Sequence, residues 1–217
     1  MQTITINEIF ASINGEVNKW GQGSSTVFIR LQGCNLKCSY CDTDYAQNIS
    51  SANVADLTIP EILETIKSFG IKRVTITGGE PLLQSNVFSL INELLFQGYQ
   101  ISVETNGSIY IPKGFICPGI CWVVDYKTEF SKQMIKLNYR NLCKDDFVKF
   151  VIKDKKDFDD GINIKNMLQC FGVEAQFAFS PAGADTGLAG KIVVWLLDKQ
   201  IDDVVLNLQL HKIIEVK

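Results

Sequence analysis

The sequence predicts an α/β fold with a parallel sheet, and three observations carry that prediction. Short apolar runs rich in β-branched and aromatic residues recur along the chain. Amphipathic segments with recognisable ends lie between them. The two alternate regularly, as they do where each strand is followed by a crossover helix.

The expected strands span 26–31, 73–77, 100–104, 121–124, 147–152, 176–179 and 204–208. Their composition suits strands covered on both faces. In Thr58-Ile59-Pro60-Glu61 the Thr hydroxyl can take an orphan amide, Glu61 can reach back, and Pro60 fits a first helical turn. Ile62, Leu63, Ile66 and Phe69 then recur at helical spacing, and Gly70 ends the run. Further helices are expected over 82–97, stopped by Gly98, and over 155–170 and 188–199. Periodicity does not distinguish an open sheet from one curled into a barrel.

A chain of 217 residues predicts one domain spanning 1–217. That length can bury roughly 70% of the surface exposed on unfolding, so the core needs no covalent staples. The balance of 21 Lys+Arg against 24 Asp+Glu argues against a nucleic-acid binder and gives no support for an anionic membrane partner. The longest aliphatic and aromatic run, 192–197, falls far short of the ~20 residues that cross a bilayer. No basic region precedes an apolar block at the N-terminus, so no signal peptide is expected. Seven cysteines make an odd count, with three crowded into 34–41, which is unlike a secreted disulfide framework. The expectation is a cytoplasmic protein whose cysteines serve chemistry.

Gly33-Cys34-Asn35-Leu36-Lys37-Cys38-Ser39-Tyr40-Cys41 follows the first strong strand, where α/β proteins place their sites. Soft thiolates select zinc, copper(I) or iron–sulfur clusters. A structural zinc site wants four ligands, and the fourth is missing locally: the chain's one histidine is His211, and Cys117 is far off. Three thiolates on a four-iron cube would leave one iron open. Ordinary buried cysteines belong on apolar faces, unlike this Asn/Lys/Ser loop. Cys117, Cys121, Cys143 and Cys170 read as packing residues, although the first two repeat the x3 spacing around Pro118-Gly119.

Gly78-Gly79-Glu80-Pro81 sits between a strand and a helix, with glycines that allow close backbone approach and a carboxylate able to receive an ammonium. Glu104-Thr105-Asn106-Gly107-Ser108 ends the next strand with polar side chains. Cys-x3-Cys-x2-Cys with an aromatic residue before the last cysteine resembles the radical S-adenosylmethionine (SAM) enzymes. The resemblance implies a [4Fe-4S] cluster on Cys34, Cys38 and Cys41 whose open iron chelates SAM, and a Gly-Gly-Glu-Pro contact with the SAM amino group.

Ser12-Ile13-Asn14-Gly15-Glu16, 26–30, Cys41-Asp42-Thr43, 104–108 and Gln209-Leu210-His211-Lys212 narrow the likeness to the 7-carboxy-7-deazaguanine synthase family, over nearly the whole chain. That family converts 6-carboxy-5,6,7,8-tetrahydropterin to 7-carboxy-7-deazaguanine with loss of ammonia, on the way to queuosine and other 7-deazapurines. It implies a shortened, partial TIM-type barrel, usually a homodimer, with Mg2+ as a further cofactor and a flavodoxin- or ferredoxin-type reducing partner. By position, Ile13, Asn14, Gly15, Glu16, Arg30, Thr77, His211 and the main chain of Lys217 would hold the pterin. Tyr40, Gly78, Gly79, Glu80, Asp125, Tyr126, Lys127, Ser180, Pro181, Ala182 and Gly183 would contact SAM, and Thr43 would bind Mg2+. No catalytic side chain is implied beyond the cluster–SAM centre.

Plainer roles stand beside these: Arg30 as a structural ion-pair partner, Glu16 as a solvated carboxylate, Thr43 as a helix cap, His211 as a packed terminal residue. Asn14 stands where the family usually has Gln, Val17 replaces a second Gly, and Asp125-Tyr126-Lys127 replaces Ser-Pro-Lys. The rival readings are a radical SAM activase that installs a glycyl radical on a partner protein, and a zinc-binding interaction module.

Overall fold

The computed structural model describes residues 3–48, 54–128, 130, 134 and 136–217. Its strands are β1 (Thr3–Ile13), β2 (Ser25–Leu31), β3 (Ala55–Thr58), β4 (Arg73–Gly78), β5 (Gln100–Thr105), β6 (Ile120–Asp125), β7 (Phe147–Ile152), β8 (Gln176–Pro181) and β9 (Val204–Leu206). The helices are α1 (Ile59–Lys67), α2 (Val87–Phe96), α3 (Lys136–Asn141), α4 (Lys155–Cys170), α5 (Thr186–Asp198) and α6 (Leu210–Ile213). The strands form one sheet in the order β3-β1-β2-β4-β5-β6-β7-β8-β9. From β2 to β9 every pairing is parallel, and β1 runs antiparallel to both β2 and β3.

All seven expected strands and the four expected helices are present, with three instructive differences. The N-terminal β1 and β3 lie outside the expectation; β1 buries Ile4 and Ile6 on one face, whereas β3 has little pattern of its own and is placed by pairing with β1. The helix expected over 82–97 breaks at Gln84, leaving a single turn at Pro81–Leu83 and then α2. Gln84 is extended there because its carboxamide serves β1. Oε1 accepts from Thr5 N at 2.7 Å, and Nε2 donates to Thr5 O at 2.9 Å and Gln32 O at 3.0 Å. These bonds tie the turn after β4 to β1 and β2 beside the β-bulge between Ile6 and Glu8, where Thr5 O also accepts from Gln32 N at 3.0 Å. The last strand stops at Leu206 because Asn207 turns inward, accepting from Val17 N and donating to Ser180 Oγ.

The sheet is curled as a partial TIM-type barrel. Helix side chains Ile62, Ile66, Leu90, Ile91, Leu94, Phe158, Leu168, Ile192 and Leu196 cover its outer face in one core with Trp122, Phe150 and Phe179. Phe158 meets Phe179 and Trp195 edge-on at 5.5 and 5.3 Å, which pins α4 between β8 and α5. The inner face follows the period of two. Cys121 and Val123 of β6, Phe147 of β7 and Ala178 of β8 form a separate apolar floor together with Val17. Val17 arrives from the loop after β1, so a residue that departs from the family's glycine serves here as a plug.

Glu80 holds the rim above that floor. It is fully buried: Oε1 accepts from Thr105 Oγ1 at 2.7 Å and Leu82 N at 3.0 Å, and Oε2 accepts from Asn106 N at 2.7 Å. Burial outweighs these donors and pushes its carboxyl up to about 7.

Val17→Gly removes the plug and should cost about 2 kcal/mol of stability in urea unfolding, although it restores the family's usual residue. Between the ordinary 4.5 and about 7, the unfolded chain ionises Glu80 while the folded chain keeps the proton. Glu80's contribution to stability therefore falls as pH rises through that window. Urea titrations of wild type and Glu80→Gln should converge with rising pH by roughly 3 kcal/mol, because only the wild type carries this slope.

Candidate active site

Inside the curl is a cavity of about 390 Å³, within the range of small-molecule sites. Its wall comes from the inward side chains of successive strands: Glu8 and Phe10 of β1, Phe28 and Arg30 of β2, Thr77 of β4, Glu104 of β5, Asp125 of β6, Lys149 and Val151 of β7, and Ser180 of β8. Strands from both halves of the sheet line one space, so the sheet wraps around it. The segment after β9 closes the remaining gap. Leu210 N donates to Gly15 O at 2.9 Å, and Gln22 Nε2 bridges Gly15 O and Leu208 O at 2.8 and 2.6 Å. Lys217 Nζ reaches Glu8 Oε2 at 2.6 Å, and the Lys217 carbonyl accepts from Ser12 Oγ.

Cys34, Cys38 and Cys41 all face this cavity, the first two half-buried and Cys41 exposed. Their loop is fixed at its start by backbone bonds: Gly33 N to Ala46 O at 2.8 Å and Cys34 N to Gln47 O at 3.1 Å. Gly78-Gly79 packs directly beneath it. A Cβ on Gly78 would stand 2.1 Å from Leu31 O, and one on Gly79 would stand 2.2 Å from Gly33 O. The glycines are thus required by the chain's own backbone, which brings the end of β4 against the cysteine loop. Among the described residues, no three His, Cys, Asp or Glu side chains are gathered around a point as a single metal ion needs. Three thiols facing one cavity are the ligand set of a four-iron cluster with one iron left open, whereas a structural zinc site takes four ligands.

The charges in the wall are paired. Lys149 Nζ contacts Glu16 Oε2 and lies 3.3 Å from Asp125 Oδ1. Burial pulls its ammonium down, but Asp125, Glu16 and Glu104 outweigh it and hold the group well above the usual lysine range. Lys127 reaches Asp125 Oδ2 at 2.6 Å. For Asp125, burial is likewise overcome, here by Lys127 and Lys149, and its carboxyl lies below the usual range. Glu104 accepts from Thr77 Oγ1 at 2.8 Å; burial and then the Glu16 charge push it up to about 7. Arg30 Nε bonds Glu8 Oε1 at 2.8 Å. Gln209 Nε2 bridges Glu16 Oε1 at 2.9 Å and Asp42 Oδ2 at 2.8 Å, and Lys212 also reaches Asp42 at 2.8 Å. His211 sits against Gly15, where any Cβ would stand 1.9 Å from its Nδ1. Burial lowers its pKa, and Nδ1 is buried with no hydrogen-bond partner among the described residues.

Of the residues singled out in the sequence, the cavity wall gathers Glu16, Arg30, Cys34, Cys38, Tyr40, Cys41, Thr43, Thr77, Gly78, Gly79, Asp125, Lys127, 180–183, His211 and Lys217. It does not gather Ile13, Asn14, Gly15, Glu80 or Tyr126. Asn14 is buried below, accepting from Thr75 Oγ1 at 2.7 Å, and Gly15 backs His211. Glu80 spends its carboxylate on Thr105, Leu82 and Asn106, so it has no oxygen aimed at the cavity for an ammonium. Tyr126 is taken into the outer core, 5.4 Å from the Tyr139 ring and 5.6 Å from Phe150. Arg30 and Glu16 turn out to be both paired and cavity-facing, so neither is a mere solvated charge. Cys121 packs in the floor, Cys117 packs against the main core, and Cys170 is exposed, so the packing expectation fails for Cys170. Sequence reasoning missed Lys149 and Glu8; an inward lysine in an otherwise apolar strand, Phe147-Val148-Lys149-Phe150-Val151-Ile152, was the available signal.

Comparison with known proteins gives the same picture. Residues 28–113 match the Radical SAM superfamily model. The chain is 38% identical to the 7-carboxy-7-deazaguanine synthase of Clostridium acetobutylicum, over 95% of this chain and 94% of that protein. The enzymes of the same name from Aquifex aeolicus and Thermoplasma acidophilum are 32% and 33% identical, over 76% and 83% of this chain and 81% and 84% of theirs. Among solved structures, Streptococcus suis SuiB bound to S-adenosylmethionine shares the fold at a TM-score of 0.54 and 15% identity, covering 81% of this chain and 44% of that one. With a cysteine loop, a glycine pair beneath it and this likeness over nearly its full length, the chain belongs to the 7-carboxy-7-deazaguanine synthase family of the radical SAM superfamily.

Proposed function

We propose that the chain converts 6-carboxy-5,6,7,8-tetrahydropterin to 7-carboxy-7-deazaguanine with loss of ammonia. The observation that carries this reading is one cavity with three thiols on one wall and a paired set of charges around the rest. When bound, the reduced cluster and SAM supply hydrogen-atom abstraction through one-electron cleavage of the sulfonium. Cys34, Cys38 and Cys41 hold the cluster. Gly79 and Tyr40, the Asp125–Lys127 pair and the 180–183 turn contact SAM.

The pterin lies toward β1, β2 and the C-terminal segment. Arg30 has its Nε committed to Glu8, so its two terminal nitrogens remain to hold the substrate carboxylate bidentately. Glu16 accepts from the aminopyrimidine edge. His211, kept neutral by burial, lines the same wall and packs its Nδ1 edge on Gly15, so it shapes the pterin side. Glu104, with a carboxyl near 7, can give a proton to the departing amine at neutral pH. Thr43 Oγ1 lies 3.1 Å from Asp42 Oδ1, and these adjoining oxygens suit Mg2+, which keeps most of its waters. Homodimerisation, a flavodoxin- or ferredoxin-type electron donor and a cytoplasmic setting complete the reading.

The test is anaerobic: the reconstituted full chain is given SAM, Mg2+, dithionite and the carboxytetrahydropterin. Carboxy-deazaguanine and ammonia should appear together, with the Cys38→Ala variant neither cleaving SAM nor forming product. SAM cleavage without that product would overturn the substrate assignment. Product from Cys38→Ala would overturn the cluster assignment.

A further inference from the structure

A side chain outside the carried-over motif roles points at the cysteine loop. Asn106 follows β5 directly and is buried. Its Oδ1 accepts from the Ser108 amide at 2.9 Å and from the Ser108 hydroxyl at 2.6 Å. A backbone N–H can only donate, so this turn fixes which end of the carboxamide is the oxygen. The nitrogen therefore faces the other way, with Nδ2 3.9 Å from Cys34 Sγ and 3.1 Å from Asn35 Oδ1. The Asn106 main chain is held as well, donating to the buried Glu80 carboxylate at 2.7 Å. Asn35 Nδ2 in turn donates to Ser108 Oγ at 2.9 Å, which ties the two loops together.

We propose that Asn106 is a positioning residue that sets the reduction potential of the cluster by donating its Nδ2–H to Cys34 Sγ. A donor aimed at a ligating sulfur stabilises the reduced, more negative cluster and raises its potential. The carboxamide nitrogen carries two hydrogens, so it serves Cys34 Sγ and Asn35 Oδ1 together, and the second bond helps to hold it in place. Glu80 acts one step behind, because it fixes the main chain from which the carboxamide projects. This gives the Glu of Gly-Gly-Glu-Pro an internal task.

The inference rests on the proposed cluster at Cys34, and its test separates the two. The full chain is reconstituted anaerobically, and its midpoint potential is read from the EPR signal of the reduced cluster during a redox titration. Asn106→Ala removes the donor without adding charge, and the midpoint should move to more negative values. Asn35→Ala removes the neighbouring acceptor and the tie to Ser108 but leaves the donor on Cys34, and the midpoint should stay at the wild-type value. Loosening of the loop by itself would shift both variants alike. An unchanged midpoint in Asn106→Ala overturns the proposal, and so does a negative shift in Asn35→Ala, which decides the matter if Asn106→Ala takes up no iron. Failure of the wild type to assemble a four-iron cluster overturns the cluster reading together with this one.

Discussion

The rest of the site depends on one buried ammonium. Lys149 Nζ lies at the centre of a half-closed barrel, against Glu16 and Asp125 and within the field of Glu104. A charge so placed is costly to bury unless it is paired, and a carboxylate left behind without it would be costlier still. Glu16 comes from the loop after β1, and Asp125 ends β6. One cation therefore fixes the spacing between the proposed pterin side of the cavity and the proposed SAM side. It also explains how this chain tolerates Asp125 where the family usually has Ser: Lys127 and Lys149 together neutralise the added carboxylate.

The site is completed by the segment after β9, which supplies the last part of the wall. Parallel strands bring polar side chains to their carboxyl ends, but among the described residues this sheet does not pair its edges. The gap between β9 and β1 is closed by the segment from Asn207 to Lys217, bonded to Val17, Gly15, Ser12 and Glu8. Gln209 and Lys212 extend the closure to Asp42, next to the last cysteine. Burial opposes the Asp42 charge, but Lys212 and Gln209 hold its carboxyl well below the usual range. The cluster loop, the C-terminal segment and the loop after β1 are thus one connected wall.

What the sequence made legible was local. The cysteine spacing, the glycine pair and the capping residues of α1 are read over fewer than ten residues, and each is where it was expected. Glu61 does accept from Thr58, at 2.8 Å from its N and 2.6 Å from its Oγ1. What could not be read depends on partners far apart in the chain. Gln84 breaks a helix in order to bond Thr5, and Val17 fills a floor built by β6, β7 and β8. Glu80 looked like a ligand for an ammonium because its three internal donors lie in other segments or are main-chain amides. The glycine pair was foreseen as a place of close approach, yet what approaches is Leu31 and Gly33 rather than a ligand alone.

Lys149 holds both halves of the cavity, and calorimetric titration of SAM, and separately of the carboxytetrahydropterin, into the cluster-loaded Lys149→Met variant tests this. Both affinities should fall together, because Glu16 and Asp125 lose their common partner in one step. Wild-type affinity for both ligands in that variant would contradict it.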